Sequence, residues 1–554
     1  VGRIANLREA VDESVPAFAG IGHTRWATHG PATENNAHPH RSQNGRFTLV
    51  HNGVIENFSE LKETYLSHVN FQSQTDTEVA VNLVEYFAEK EGLSGKEAFR
   101  RALKEIRGSF AFGLLDEQAP GVLYAAKHKS PLLVGVGKDF NVICSDAMAT
   151  ISQTDTYLEI KDEELITITK DKVEIETIDG KAVERAPFKA ELDADDIEKG
   201  AYPHYMLKEM DEQPAVLRRI IKEYTNEAGE LEVPSELLEE IGQSDRVYVV
   251  ACGTSYHAGW IGKYLLEQLA GIPVEVFLAS EFAYHQPILS EKPFFIFLTQ
   301  SGETADSRQA LVKVNEKGYP SLTITNVKGS TLSREASHTL LLHAGPEIAV
   351  ASTKAYTAQI TVMAVLAEVL RRTKGRPQTF DMSHELAVIA SAIEGVLDEK
   401  SVVKELVDQN LLDTANAFYI GRHLDYYVAM EAALKLKEIS YVQTESFAAG
   451  ELKHGTIALI EEGTPVIALL SEPVVASHTR GNIEEVKARG AKTMVIAMEG
   501  SEREGDDIVL PKVQMELAPI LSVVVTQLIA YYTSLGKGLD VDKPRNLAKS
   551  VTVE

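Results

Sequence analysis

The sequence predicts an α+β amino-terminal domain followed by an α/β region of two subdomains with parallel sheets. Three observations lead there. Short β-type runs crowd the first 190 residues, a charged stretch follows them, and a strand–glycine–helix pattern then recurs about 170 residues apart. A chain of 554 residues is also too long for one hydrophobic core.

In the first part, residues 17–21, 47–51, 109–115, 121–126 and 141–144 read as strands, and residues 59–66 and 77–89 as helices. Residues 158–178 alternate like a meander. We expect this domain to span residues 1–190, with a linker at 191–205 that begins Glu-Leu-Asp-Ala-Asp-Asp-Ile-Glu-Lys-Gly.

The remainder divides into subdomains at 206–385 and 386–540 and a tail at 541–554. Residues 246–253 form a strand closed by Gly253, and residues 417–421 one closed by Gly421, each leading into a helix. A second buried strand follows in each copy, at 294–298 and 466–470, and later strands at 321–325 and 493–497. In such sheets, ligands sit beyond the carboxyl ends of the strands. The turn Thr299-Gln300-Ser301-Gly302-Glu303-Thr304 lies at that place, between an apolar run and a helix, and offers backbone N–H groups to an anion. Cys252-Gly253-Thr254-Ser255 is a second hydroxyl-bearing turn. Either alone reads as an ordinary helix cap. Two at equivalent strand ends of one sheet point to a phosphate.

The net charge of −26, from 55 basic and 81 acidic residues without a Lys/Arg-rich run, argues against nucleic-acid and anionic-membrane partners. Two cysteines, Cys144 and Cys252, argue against a disulfide framework and for a reducing compartment, so a cytoplasmic protein is expected. Apolar runs such as residues 360–370 fall short of the roughly 20 residues of a spanning helix. His23, His29, His38 and His40 lie close together, but without HExxH or CxxC spacing, so neither metal nor cofactor is expected.

The two turns, with Ala349-Val350-Ala351-Ser352-Thr353-Lys354-Ala355, resemble the sugar-isomerase (SIS) fold. Leu434-Lys435-Leu436-Lys437-Glu438-Ile439-Ser440, Gly450-Glu451-Leu452-Lys453-His454-Gly455 and the tail from Asp542 to Glu554 resemble the glutamine–fructose-6-phosphate aminotransferase (isomerising) family. In the first domain, Gly22-His23-Thr24-Arg25-Trp26-Ala27-Thr28-His29-Gly30, Asn36 to His40, His51-Asn52-Gly53 and Thr75 to Glu78 look like a class II glutaminase of N-terminal-nucleophile type. The likeness covers essentially the whole chain. It implies conversion of fructose 6-phosphate and glutamine, or ammonia, to glucosamine 6-phosphate, the first step of amino-sugar synthesis, by a homodimer.

The resemblance also implies roles. Arg25 and Asp76 would hold the carboxylate and ammonium of glutamine, with His38 beside them. Asn52 and the Gly53 N–H would serve an oxyanion, and Trp26 would gate ammonia. Lys549 would form a Schiff base with the open-chain sugar, and Glu438 would carry the proton between C1 and C2. Lys435, three residues before Glu438, would tune it. His454 would open the ring, reaching into a neighbouring subunit's site. Ser255, Thr299, Gln300, Ser301 and Thr304 would hold the phosphate and Thr254 and Ser352 the sugar hydroxyls, with Cys252, Gly253 and Val350 completing the site.

The family's hydrolase starts with a nucleophilic cysteine, whereas this sequence starts Val1-Gly2-Arg3 and has no cysteine before Cys144. The expectation is therefore isomerase or ammonia-dependent activity without glutamine hydrolysis. The alternative is a sugar-phosphate-binding regulatory protein with a decayed amidotransferase domain. It predicts phosphate loops without catalytic groups, whereas Glu438, His454 and Lys549 are all present.

Overall fold

The computed structural model describes residues 4–11, 17–25, 29–190 and 199–552, in two compact units: Val1–Ala194 with Val551–Glu554, and Asp195–Ser550. The expected gate Trp26 and linker residues 191–198 lie outside the described residues.

In the first unit a seven-stranded antiparallel sheet runs in the order His40–Arg41, Phe47–Ile55, Gly108–Asp116, Leu123–His128, Glu164–Ile168, Val173–Thr177, Ala182–Val183. Its period-2 pattern serves two faces. Phe110, Phe112, Leu114 and Leu165 pack with the helices Asp76–Lys90 and Gly95–Leu103, while Ala111, Ala125 and Ile166 pack with Val134 and Leu158 of a four-stranded sheet. That second sheet runs Phe188–Lys189, Thr156–Glu159, Leu133–Val136, Asn141–Cys144.

Two expectations are corrected here. Residues 17–21 form no strand; Phe18 is 92% exposed, and an apolar run without a partner edge has nothing to pair with. Residues 158–178 are not one meander. Glu163 turns the chain in the left-handed region (φ 63°), leaving Thr156–Glu159 in the small sheet and sending Glu164–Ile168 into the large one.

The second unit holds two five-stranded, all-parallel sheets. The first runs Val274–Leu278, Arg246–Ala251, Pro293–Leu298, Ser321–Thr325, His338–Leu341. The second runs Gln443–Ala448, Asn416–Gly421, Pro465–Leu470, Lys492–Met498, Ile508–Leu510. Both have the spatial order 2-1-3-4-5, so the repeat is a duplicated topology. All six residues of Pro293–Leu298 and of Pro465–Leu470 are buried, as strands covered on both faces require. One core joins the sheets, with Val249 and Ile296 of the first in the same cluster as Tyr419 and Ile467 of the second.

The expectation that every apolar run is too short to span a membrane also needs correction. Met515–Gly536 is long and apolar enough by length and composition, but 94% of its apolar window is buried inside the protein. A helix enclosed by core on all sides is apolar all round for that reason.

Candidate active site

At the carboxyl ends of the first parallel sheet, strand Arg246–Ala251 gives way to Cys252, the N-cap of helix Gly253–Leu265. Strand Pro293–Leu298 gives way to Thr299, whose Oγ1 accepts the Gly302 N–H at 3.0 Å. Gly302 has φ 70°, and a Cβ there would stand 2.0 Å from Ser330 Oγ, so the turn needs glycine. Ser301 Oγ accepts the Glu303 N–H at 3.1 Å and lies 3.0 Å from Ser550 Oγ. Thr304 is the N-cap of Ala305–Glu316 and makes no side-chain cap bond. The Gln300 carbonyl accepts the Asn326 N–H at 3.1 Å, and Ser255 Oγ accepts from Gln359 Nε2 at 2.8 Å. Burial pushes the Cys252 thiol up to about 11, which makes it a packing group.

Helix Leu424–Ser440 carries Glu431, Lys435 and Glu438 on one face, spaced by four and three residues. Lys435 is 1% exposed; its Nζ donates to Glu438 Oε2 at 2.6 Å and to Thr254 Oγ1 at 3.0 Å. Glu431 lies 3.5 Å from the same nitrogen, accepts from Thr254 Oγ1 at 3.1 Å and sits 2.7 Å from His257 Nδ1. Burial alone would favour the neutral amine, but Glu438 and Glu431 outweigh it and hold the ammonium charged.

Lys549 Nζ donates to Glu347 Oε2 at 2.5 Å. Glu347 is fully buried and also accepts from Ser352 Oγ at 2.8 Å, Thr353 N at 2.8 Å and Ala355 N at 3.1 Å. Burial would raise its pKa; the Lys549 charge and these donors instead hold it down at about 2. Glu209, behind it, accepts from Ile348 N and Ala349 N, and burial with the Glu347 charge pushes it up to about 8. The Val350 N–H donates to the Asp542 carbonyl at 3.0 Å, and the Asp542 carboxylate takes the Tyr205 and Met206 N–H groups, both at 2.9 Å. His454 ends the short helix Ala449–His454, exposed and apart from the bonds around Lys435. Glu347, Glu209, Glu431 and His257 escaped the sequence reading. The one available signal was Glu347, a lone carboxylate beside the apolar Ile348-Ala349-Val350.

In the first unit a small cleft is lined by His23, Arg25, His38, Asn52, Gly53 and Asp76. The Arg25 guanidinium donates to the carbonyls of His29 at 2.6 Å, Gly30 at 2.9 Å and Pro31 at 3.0 Å. Asp76 opens its helix after the N-cap Thr75 and accepts the Ile55 N–H at 2.8 Å. Asn52 Nδ2 donates to Thr552 Oγ1 of the same unit at 3.0 Å. Gly53 has φ 142°, and a Cβ would meet the Ser109 carbonyl at 2.2 Å. Burial, then the neighbouring imidazoles, pushes His23 down to about 4 and His38 to about 2, so both rings are neutral. Among the described residues, no three His, Cys, Asp or Glu side chains are grouped so as to hold a metal ion. Cys144 is buried, its thiol pushed up to about 11.

Comparison with known proteins adds to this geometry. Residues 23–151 match the glutamine amidotransferase domain, and residues 240–369 and 410–535 each match the SIS domain. The glutamine–fructose-6-phosphate aminotransferase [isomerizing] of Streptococcus pneumoniae serotype 4 is 61% identical over 556 residues, which cover all of this chain and 92% of that protein. The chain belongs to the glutamine–fructose-6-phosphate aminotransferase (isomerising) family. The same-named protein of Streptococcus agalactiae serotype III is 59% identical over 557 residues, covering 100% of this chain and 92% of its own. Among solved structures, the C-terminal domain of glucosamine-fructose-6-phosphate aminotransferase from Francisella tularensis superposes with a TM-score of 0.60 at 34% identity, covering 62% of this chain and 100% of that one.

In this aminotransferase-family chain the two SIS sheets differ at their carboxyl ends. The first presents hydroxyls on the Thr299–Thr304 turn. In the second, Glu472 accepts the Leu424 N–H at 2.8 Å and lies 2.7 Å from His423 Nδ1. The helix start that could receive an anion therefore holds one of the chain's own.

Proposed function

We propose that the chain carries the sugar half of the reaction that joins D-fructose 6-phosphate and L-glutamine into D-glucosamine 6-phosphate and L-glutamate, running on ammonia with the residues present, with the sugar chemistry at the first SIS sheet and glutamine bound in the first unit. The observation that carries this reading is the convergence of two lysine–carboxylate pairs, Lys549 on the buried Glu347 and the buried Lys435 on Glu438, on a hydroxyl-lined sheet end. A sensor needs the hydroxyls; it does not need the pairs.

In this account Ser255, Thr299, Gln300, Ser301 and Thr304 hold the phosphate, and Thr254 and Ser352 orient sugar hydroxyls. Lys549 condenses with the C2 carbonyl, and Glu438 moves a proton between C1 and C2 while Lys435 fixes its carboxylate. The exposure of His454 supports a role in a second copy's site, hence a homodimer. Asp76 and Arg25 face glutamine, and Asn52 with the Gly53 N–H face the oxyanion. The acidity and the two unpaired cysteines support a cytoplasmic setting.

The test supplies free ammonium instead of glutamine, so that only the sugar chemistry is read. With fructose 6-phosphate the chain should form glucosamine 6-phosphate, and Lys549→Ala should not. Tight sugar-phosphate binding without turnover would favour the regulatory reading.

A further inference from the structure

We propose that Glu347 is the fixed counter-ion of Lys549 throughout the reaction, balancing first its ammonium and then the iminium that replaces it. The proposal rests on the reading of Lys549 as the Schiff-base lysine and gives that site a second indispensable group.

The charge balance of the step motivates it. When the ammonium condenses with the sugar carbonyl, one nitrogen–carbon double bond forms, and the carbonyl oxygen departs as water with two of the three ammonium protons. The nitrogen keeps one proton and one positive charge. A site that matches the ammonium therefore also matches the iminium, provided its anion stays still. Glu347 is built to stay still. It is fully buried, its Oε1 accepts the N–H groups of Thr353 and Ala355, and its Oε2 accepts from Ser352 Oγ as well as from Lys549. A fully buried carboxylate with four donors on two oxygens has no second orientation of similar energy.

The surrounding charges single out Glu347. From helix Tyr205–Asp211, Glu209 spends Oε1 on two backbone N–H groups, and its buried Oε2 has no hydrogen-bond partner among the described residues. Burial, then the neighbouring Glu347 charge, favour its neutral acid form. Lys354, on helix Lys354–Thr373, turns to Glu212 at 2.5 Å. Lys435, on helix Leu424–Ser440, also feels the Glu347 charge but is matched by Glu438 and Glu431. Glu347 is thus the one standing anion within hydrogen-bond reach of Lys549 among the described residues. An iminium kept protonated is the form open to attack by an incoming amine.

The experiment is reductive trapping on the full chain. Fructose 6-phosphate and cyanoborohydride, which reduces the iminium, are applied across a pH series, and the adduct is read by intact mass. E347Q keeps the volume and an acceptor oxygen but removes the charge; E347D keeps the charge on a shorter arm. An opposite charge at this distance shifts a proton equilibrium by about 1–3 units, so the alkaline limit of trapping should fall by about that much in E347Q. In E347D the limit should stay near that of the unsubstituted chain, whatever happens to the yield. An unchanged limit in E347Q, or a limit in E347D that moves as far as in E347Q, overturns the proposal. If E347Q does not fold, E347D alone decides, since a lowered limit there contradicts a charge-based role. Absence of any adduct on the unsubstituted chain would instead refute the Schiff-base reading itself.

Discussion

Lys435 shows what single residues contribute to this site. Its ammonium is buried, and it is stable only because Glu438 at 2.6 Å and Glu431 at 3.5 Å match it. Breaking such a group by removing one partner typically costs about 3–5 kcal/mol, since it strands the remaining charges. Lys435→Met should therefore lower unfolding free energy by about that amount in denaturant titration, along with sugar chemistry; a loss below about 1 kcal/mol would show that the network does not hold Glu438 in place. This pair was legible because residues three apart on a helix share a face. Glu347 was not, since only the fold brings together two residues 202 positions apart. The glycine at 302 was legible as a turn, but the reason for it, Ser330 Oγ 2.0 Å from a would-be Cβ, was not.

At the scale of elements, helix Leu424–Ser440 carries in its first turn Asp425, 1% exposed, whose carboxylate accepts the Ser471 N–H at 2.9 Å and the Ser471 hydroxyl. Burial raises it from an ordinary 3.8 to about 7 against those bonds, with Glu472 adding to the rise. A carboxyl raised by folding contributes most stability below its ordinary value, and that contribution is lost as pH rises through the folded value. Between pH 3.8 and about 7 the denaturation midpoint of the unsubstituted chain should therefore fall relative to Asp425→Asn, which cannot titrate. Parallel slopes would mean that Asp425 stays ionised in the folded state. Element legibility followed burial. Pro293–Leu298 and Pro465–Leu470 are apolar throughout and read at once as strands. The edge strand Gln443–Ala448, with Gln443, Thr444, Glu445 and Ser446, has a sequence no different from a loop; its pairing with Asn416–Gly421 makes it a strand.

For the whole molecule, the duplicated order 2-1-3-4-5 and the single core joining both sheets were foreshadowed by the repeat, although the enclosed helix Ala518–Gly536 was not. Its apolar surface carries no period to detect, because core surrounds it. The duplication did not preserve the site. The second sheet closes its own helix start with Glu472, and the first recruits the end of the chain through Asp542, Lys549 and Ser550. The central claim is that this recruitment turns a phosphate cradle into a reaction centre. Its most direct test is borohydride reduction of the full chain with fructose 6-phosphate, followed by proteolysis and mass mapping. The account predicts one hexose-phosphate adduct, on Lys549; an adduct on another lysine, or none while the sugar phosphate binds, would contradict it.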